Sequence, residues 1–185
     1  MSKRVKFVII LMLLGLVVPS FVFAQDYTTY AASSNMRNQV YRKSDTVFII
    51  SNTDSFIWNR IMEEAIQSEF KNKGVASFLL TDYMDITESE DIDSEELYKI
   101  ITKTKATLVM EITTNDMYTY TLGEGIKKFD SNVSVLECSN YNTVLRIGLT
   151  TEADTNDALS YAASRKPAIE STAKGLVEEY MKHIK

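Results

Sequence analysis

The side chains able to do covalent chemistry are few and far apart. Cys138 is the only cysteine and His183 the only histidine. A thiol nucleophile needs a base within hydrogen-bond reach, so a Cys–His pair requires the end of the chain to fold back onto the strand that carries Cys138. The apolar neighbours of Cys138 fit a small buried hydrophobe better. One histidine near the chain end, with no nucleophile-elbow pattern, gives a Ser–His–Asp set no recognisable position. The run Gly123–Gly125 follows a strand-like pattern but opens no helix, as a phosphate loop must, and reads as a hairpin turn. The acidic stretch of Asp82, Asp85, Glu88, Glu90, Asp91, Asp93, Glu95 and Glu96 offers oxygen ligands without the central glycine or spacing of a calcium loop. It reads as a solvated loop leading to a helix capped by Asp93 or Ser94, with Glu95 and Glu96 favoured in the first turn. Paired carboxylates for glycoside hydrolysis depend on a separation set by the fold, and spacing selects no pair. No catalytic residue, metal site or cofactor is expected.

Two sets of residues have the chemistry of binding. Tyr118 and Tyr120 alternate onto one face of a predicted strand at 117–122, and Tyr141 sits on a nearby turn. Tyrosine offers rigid contact area with a polar tip, so these three form the predicted partner-binding set. Packing in the core is the competing account. Ser51, Asn52 and Asp54 follow the first predicted parallel strand, and Asp82 follows the second. Open α/β sheets bind ligands at those strand ends, so these four form a predicted small-ligand cleft. Turn formation and helix capping are the competing account. Trp58, off the main stripe of its helix, is expected at the core edge.

The elements that position these residues follow from periodicity. Val47–Ile50 is an apolar, β-branched run, as in a strand buried on both faces. Ile57, Ile61, Met62, Ala65, Ile66 and Phe70 make one helical stripe, with Glu63, Glu64, Gln67 and Lys71 largely opposite. Asp54 or Ser55 suits the N-cap, and Gly74 ends the helix. A strand at 75–80, a short helix from Ser94 with Leu97, Ile100 and Ile101, and a strand at 107–112 complete a βαβαβ start. The predicted strand at 117–122 and alternating strands at 132–138 and 143–150, the last two joined by the turn at 139–142, read as an antiparallel meander. In the last, Leu145, Ile147 and Leu149 face inward, and Val144 and Arg146 outward. Pro167 suits the first turn of a final helix, with Ile169, Ala173, Leu176, Val177, Tyr180, Met181 and Ile184 as its stripe. The fold class is α/β (α+β), one mixed sheet with helices packed on it.

Residues 1–24 read as a signal peptide. Lys3, Arg4 and Lys6 precede an apolar run from Phe7 to Val18. Pro19 breaks it, and Val22 and Ala24 suit cleavage before Gln25. The run is shorter than the roughly 20 residues of a membrane span, and no second apolar run follows, so no span is expected after cleavage. Residues 25–45 are polar and weakly patterned, an expected arm or linker with at most a short strand at its start. Residues 46–185 form the expected single domain. The chain carries 20 basic and 25 acidic residues. Without the three basic residues of the leader the balance is 17 against 25, a net charge of −8. Such a domain has no footprint for nucleic acid, and with one cysteine its core must hold it without an internal disulfide. Export to a bacterial periplasm or cell surface is the expectation.

The order of these elements resembles the small α/β domain of bacterial envelope proteins: the outer-membrane activators of penicillin-binding proteins, the curli secretion lipoprotein and the N-terminal domain of the Tol translocation protein. The strand at Val47–Ile50, the helix through Trp58 and Phe70 ending at Gly74, the strand at Val75, and the strand from Ala106 with its meander and final helix carry the likeness. Most members are lipid-anchored, and this chain lacks the cysteine for lipidation. The resemblance implies a non-enzymatic envelope module that binds a protein or cell-wall component. The alternatives are a small-molecule or metal-ion binding protein and, third, a hydrolase.

Overall fold

The structure is a computed structural model that describes residues 26–35, 42, 44–53, 55–84, 94–115, 125–154 and 161–184. The signal peptide, Asp54, Tyr118, Tyr120, the predicted strand at 117–122 and the acidic stretch from Asp85 to Asp93 lie outside the described residues.

One six-stranded mixed sheet organises the chain, with strands in the order β1-β6-β5-β4-β2-β3. They are β1 (Tyr27–Asn35), β2 (Thr46–Asn52), β3 (Ala76–Leu79), β4 (Leu108–Asn115), β5 (Lys128–Glu137) and β6 (Thr143–Ala153). Helix α1 (Phe56–Lys73) joins β2 to β3, α2 (Ser94–Thr104) precedes β4, and α3 (Tyr161–Met181) follows β6. β2 runs parallel to β3 and β4, and the ladders β4–β5, β5–β6 and β6–β1 are antiparallel. The α/β class and mixed sheet are as the sequence implied.

β2 is buried on both faces, and its alternation splits the core. Val47 and Ile49 join the larger cluster under α1 and α3, which also holds Met62, Phe70, Leu145, Leu176 and Tyr180. Phe48 and Ile50 face the smaller cluster under α2, with Val109, Ile101 and Ala106. Gly74 closes α1 in a left-handed conformation, φ 74°. Its amide and that of Val75 satisfy the last carbonyls of the helix, as a Schellman ending requires.

Four sequence expectations are corrected. The segment read as an arm with a short strand at its start opens with β1, a nine-residue strand paired along its whole length with β6; its run of threonine, alanine and serine after Tyr27 shows no apolar alternation, and β6 and α3 supply its partners. Val144 is buried, because a bulge in the β5–β6 ladder sets both Val144 and Leu145 on the core side. On α1, Ile57 is 64 % exposed and Glu63 fully buried, the reverse of their expected faces. Pro167 lies inside α3, not at its start; it falls within the second turn, and its missing donor removes one helical hydrogen bond.

A ladder of hydroxyls docks α3 on the sheet. Thr29 Oγ1 lies 3.0 Å from Thr151 Oγ1 and 2.8 Å from Ser171 Oγ, and Thr151 Oγ1 is 2.7 Å from Thr172 Oγ1. Ser171 donates on to the carbonyl of Tyr27 at 2.9 Å. This contact needs Gly175, since a Cβ there sits 2.7 Å from Thr29 Cγ2 and 2.9 Å from its Cβ. Overpacking of that kind costs about 1–3 kcal/mol. Gly175→Ala is therefore expected to lower stability by that amount despite the better helix propensity of alanine, measured by urea or thermal unfolding; an unchanged or raised midpoint counts against the close approach.

Candidate functional site

Of the predicted ligand cleft, Asp54 lies outside the described residues, and Ser51, Asn52 and Asp82 do not face one space. Successive strand residues point to opposite faces, so Ser51 lies buried under α1 while Asn52 is exposed on the other side. Asp82 is exposed beside Arg60, 3.5 Å from its guanidinium. The place where β2 and β3 end is filled by Glu63 of α1. Its Oε1 accepts the amide of Ser51 at 3.0 Å, and its Oε2 accepts the amide and hydroxyl of Thr81 at 2.9 and 2.7 Å. One carboxylate thus ties the ends of two parallel strands to the crossover helix. Burial pushes its pKa up, opposed by the donors on Thr81 and Ser51, and the negative charge of Asp82 adds to the rise. Periodicity misses this residue because a glutamate on an amphipathic helix reads as solvent-facing.

A second polar cluster holds the sole histidine. Ser33 Oγ lies 2.6 Å from Glu179 Oε1 and 2.8 Å from His183 Nε2, and Glu179 also accepts from Lys182. The serine hydroxyl points at the carboxylate, so the ring acts as donor to the serine. A nucleophilic triad needs the imidazole between serine and acid, and the order here is reversed. Burial opposes the charge on Glu179, but bonds from Lys182 and Ser33 and the charges of Lys182 and His183 outweigh it and hold the pKa below the ordinary range. Cys138 packs with the cluster on the opposite face of the sheet, so the two do not pair, and burial pushes its thiol pKa up. The arrangement is a tether for the chain end.

Tyr141, from the predicted partner set, is on the β5–β6 hairpin with φ 54° and 44 % exposed. Its ring pairs with that of Tyr98 on α2, 54 % exposed, at 6.3 Å between centroids. Together with Arg42, Asp45, Lys105 and Cys138 they line a cleft at the amino ends of β2 and β4, the end opposite to the one predicted. Lys105 has φ 57°, so the two left-handed non-glycine residues among those described both line it. Trp58 packs against the larger core cluster with the Arg165 guanidinium 3.8 Å above its ring, as expected for the core edge.

Among the described residues, one face of the sheet is left largely uncovered. Helices α1 and α3 cover one face, and α2 covers only part of the other, over Phe48, Val109 and Leu136. The rest is open and polar. One row crosses the strands as Ala32, Gly148, Asn132, Thr113 and Asn52, all exposed. Tyr30, Thr150 and Asp130 flank it on one side, and Ser34, Arg146, Ser134 and Glu111 on the other. The floor is lowest at Ala32 and Gly148, where two shallow depressions meet. Gly148 has no positive φ, and a Cβ there meets nothing within 4 Å. Among the described residues neither backbone conformation nor packing requires a glycine, which weakens a strand interior.

Glu63 gives a test of the local chemistry. Its neighbours are all donors, and an apolar side chain leaves the amides of Ser51 and Thr81 without their acceptor. Glu63→Leu is expected to destabilise the fold by about 1–3 kcal/mol in mildly acidic solution. A carboxyl with a raised folded pKa binds its proton more tightly folded than unfolded, so its contribution is full below the ordinary carboxylate range and declines as pH rises through the folded value. The gap between wild type and variant therefore narrows with rising pH in paired denaturation curves; a widening gap is the contrary result.

No family model and no curated protein sequence matches the chain. Solved structures do. The PelC dodecamer from Paraburkholderia phytofirmans superposes with a TM-score of 0.52 at 10 % identity, covering 80 % of this chain and 96 % of that one. A leucine-to-methionine variant of the same dodecamer gives 0.52 at 11 % identity over 81 % and 96 %. A PDZ domain protein from Parabacteroides distasonis gives 0.43 at 8 % identity, with 84 % of this chain on 38 % of that one. At such identities the PelC match is a likeness of fold, over nearly the whole of that chain.

Proposed function

We propose that this chain is an exported, non-enzymatic module of a bacterial cell envelope, which binds a protein or cell-wall component through the open face of β1, β6 and β5. The observation that carries this reading is Gly148, a glycine at the centre of that face that nothing among the described residues requires. Glycine in a strand often marks the close approach of something from outside. The leader at 1–24 supports export, and the acidic balance disfavours nucleic acid and anionic lipid as partners. No helix among the described residues is long and apolar enough to cross a membrane. Fold-level likeness to PelC fits an envelope module, and that protein assembles as a dodecamer.

A second reading keeps a small ligand, in the cleft of Tyr98 and Tyr141. It is favoured by the two strained residues, since such conformations collect at binding sites.

Gly148→Phe separates the two. A large side chain in open space leaves the melting temperature close to that of wild type, while filling the floor of the face. Crosslinking capture from envelope extract is expected to lose its partner with this variant and to keep it with Tyr141→Ala. Equal capture by wild type and Gly148→Phe rejects the open face; loss confined to Tyr141→Ala moves the function to the cleft.

A further inference from the structure

Two left-handed backbone positions carry residues that such a backbone does not favour. Helix α2 stops at Lys105, φ 57°, as α1 stops at Gly74, φ 74°. Glycine, and after it asparagine, takes up this conformation at the least cost. A cation suits the end of a helix, but Lys103 already supplies one in the last turn of α2. On the β5–β6 hairpin the left-handed place falls to Tyr141, φ 54°, although Asn140 and Asn142 flank it. Neither the helix stop nor the hairpin turn requires a lysine or a tyrosine. What the two residues share is the cleft that both side chains line. Among the described residues no other non-glycine residue has a positive φ.

The cleft has a volume of about 650 Å³, within the range of about 300–1,000 Å³ usual for small-molecule sites. Two kinds of group line it. One is aromatic and apolar: the half-exposed rings of Tyr98 and Tyr141, with Ile101, Ala106 and Leu108. The other is charged, and its two signs differ in what they hold. Asp45 accepts the amide of Arg42 on Oδ2 at 2.8 Å and the hydroxyl of Thr107 on Oδ1 at 3.4 Å. Glu137 accepts the side-chain amide of Asn140 on Oε2 at 2.8 Å. The side chains of Arg42 and Lys105 hold no acceptor among the described residues. Both acids have donors, and both cations lack acceptors.

We propose that the cleft binds a small organic anion, a flat ring bearing an acidic group. The ring lies against Tyr98 and Tyr141, and the acid meets Lys105 and Arg42. This rests on the second reading above, that the cleft is a ligand site, and adds the class of ligand. Tyrosine rings offer a flat apolar surface, and lysine brings its charge on a flexible stem that can close on an acid. A cationic ligand meets the two unopposed cations, and an uncharged one leaves them without an acceptor. The left-handed lysine and tyrosine are then the cost of placing a charge and a ring at one opening.

Two fluorescent dyes that differ by one acidic group test this: anilinonaphthalene sulfonate and its uncharged parent, phenylnaphthylamine, titrated into the purified protein at neutral pH. Wild type is expected to bind the sulfonate at least about tenfold more tightly than the parent. Lys105→Gly is expected to raise the melting temperature, because glycine accepts the left-handed backbone, and to bring the two dyes within about threefold of each other. Stability and preference thus move in opposite directions, which a merely structural lysine does not predict. Arg42→Gln, at an exposed position, is expected to reduce the preference without changing the melting temperature. Tyr141→Asn is expected to fold as wild type and to weaken both dyes by at least about tenfold. A sulfonate that does not bind wild type at about 1 mM, or a preference that survives both Lys105→Gly and Arg42→Gln, overturns the proposal. Equal affinity for the two dyes, with both lost in Tyr141→Asn, rejects the anion and keeps the cleft. Binding of both dyes indifferent to Tyr141→Asn rejects the cleft itself.

Discussion

The architecture depends on how close α3 lies to β1 and β6. Hydroxyl-to-hydroxyl bonds span less than 3.1 Å between oxygens, so the helix backbone has to come nearly into contact with the edge strand. Gly175 permits that approach, and the buried hydroxyls of Thr151 and Thr172 meet each other only if it happens. Thr172 also donates to the carbonyl of Ala168 within the helix and Thr151 also meets Thr29, so the approach adds the bond between them and does not alone satisfy them. Once α3 is seated, Ala173, Leu176, Val177 and Tyr180 close the larger core against Phe70 and the strands. β1, a polar strand with little apolar surface of its own, stays in the sheet because it is bonded on one side to β6 and from behind to α3.

Seating both long helices on one face leaves the other face short of cover. α2 has eleven residues and shields a patch over Phe48 and Val109. Beyond it the strands turn to Asn, Thr, Ser and Asp, which interact well with water, and the alternation along β5 and β6 becomes strict. The same sheet is thus a two-sided core at β2 and a one-sided surface at β5, β6 and β1. The buried carboxylate of Glu63 belongs to the two-sided half, where the ends of parallel strands leave amides that no neighbouring strand satisfies.

What the sequence made legible was whatever repeats with a period. The doubly buried run at Val47–Ile50, the stripe on α3, the stop at Gly74 and most of the alternation of β6 follow local pattern, although α3 begins ahead of Pro167 and Val144 departs from the alternation. What it hid was polar and non-local. β1 is a strand only through partners more than a hundred residues away. Glu63 is buried only because Ser51 and Thr81 meet it. The reversal at Val144 comes from a bulge, which shifts the pleat by one residue without any local mark. Of the predicted partner set, Tyr141 was found exposed, paired with a tyrosine from a helix that spacing could not bring near it. Ser51 and Asn52, neighbours in a strand, point to opposite faces.

The position of β1 also governs the order in which the molecule can be completed. Tyr27 pairs with Ala153 and Asn35 with Leu145, so the first strand has no partner until β6 exists, and no backing until α3 does. Contacts of such sequence separation carry the largest loop-closure entropy and slow folding. The parallel unit from β2 to β4 and the β5–β6 hairpin can form from shorter stretches, while the amino-terminal strand waits for the carboxyl-terminal helix. A chain built this way leaves β1 without a partner until β6 and α3 have formed, so its joining the sheet is a late step that closes the fold.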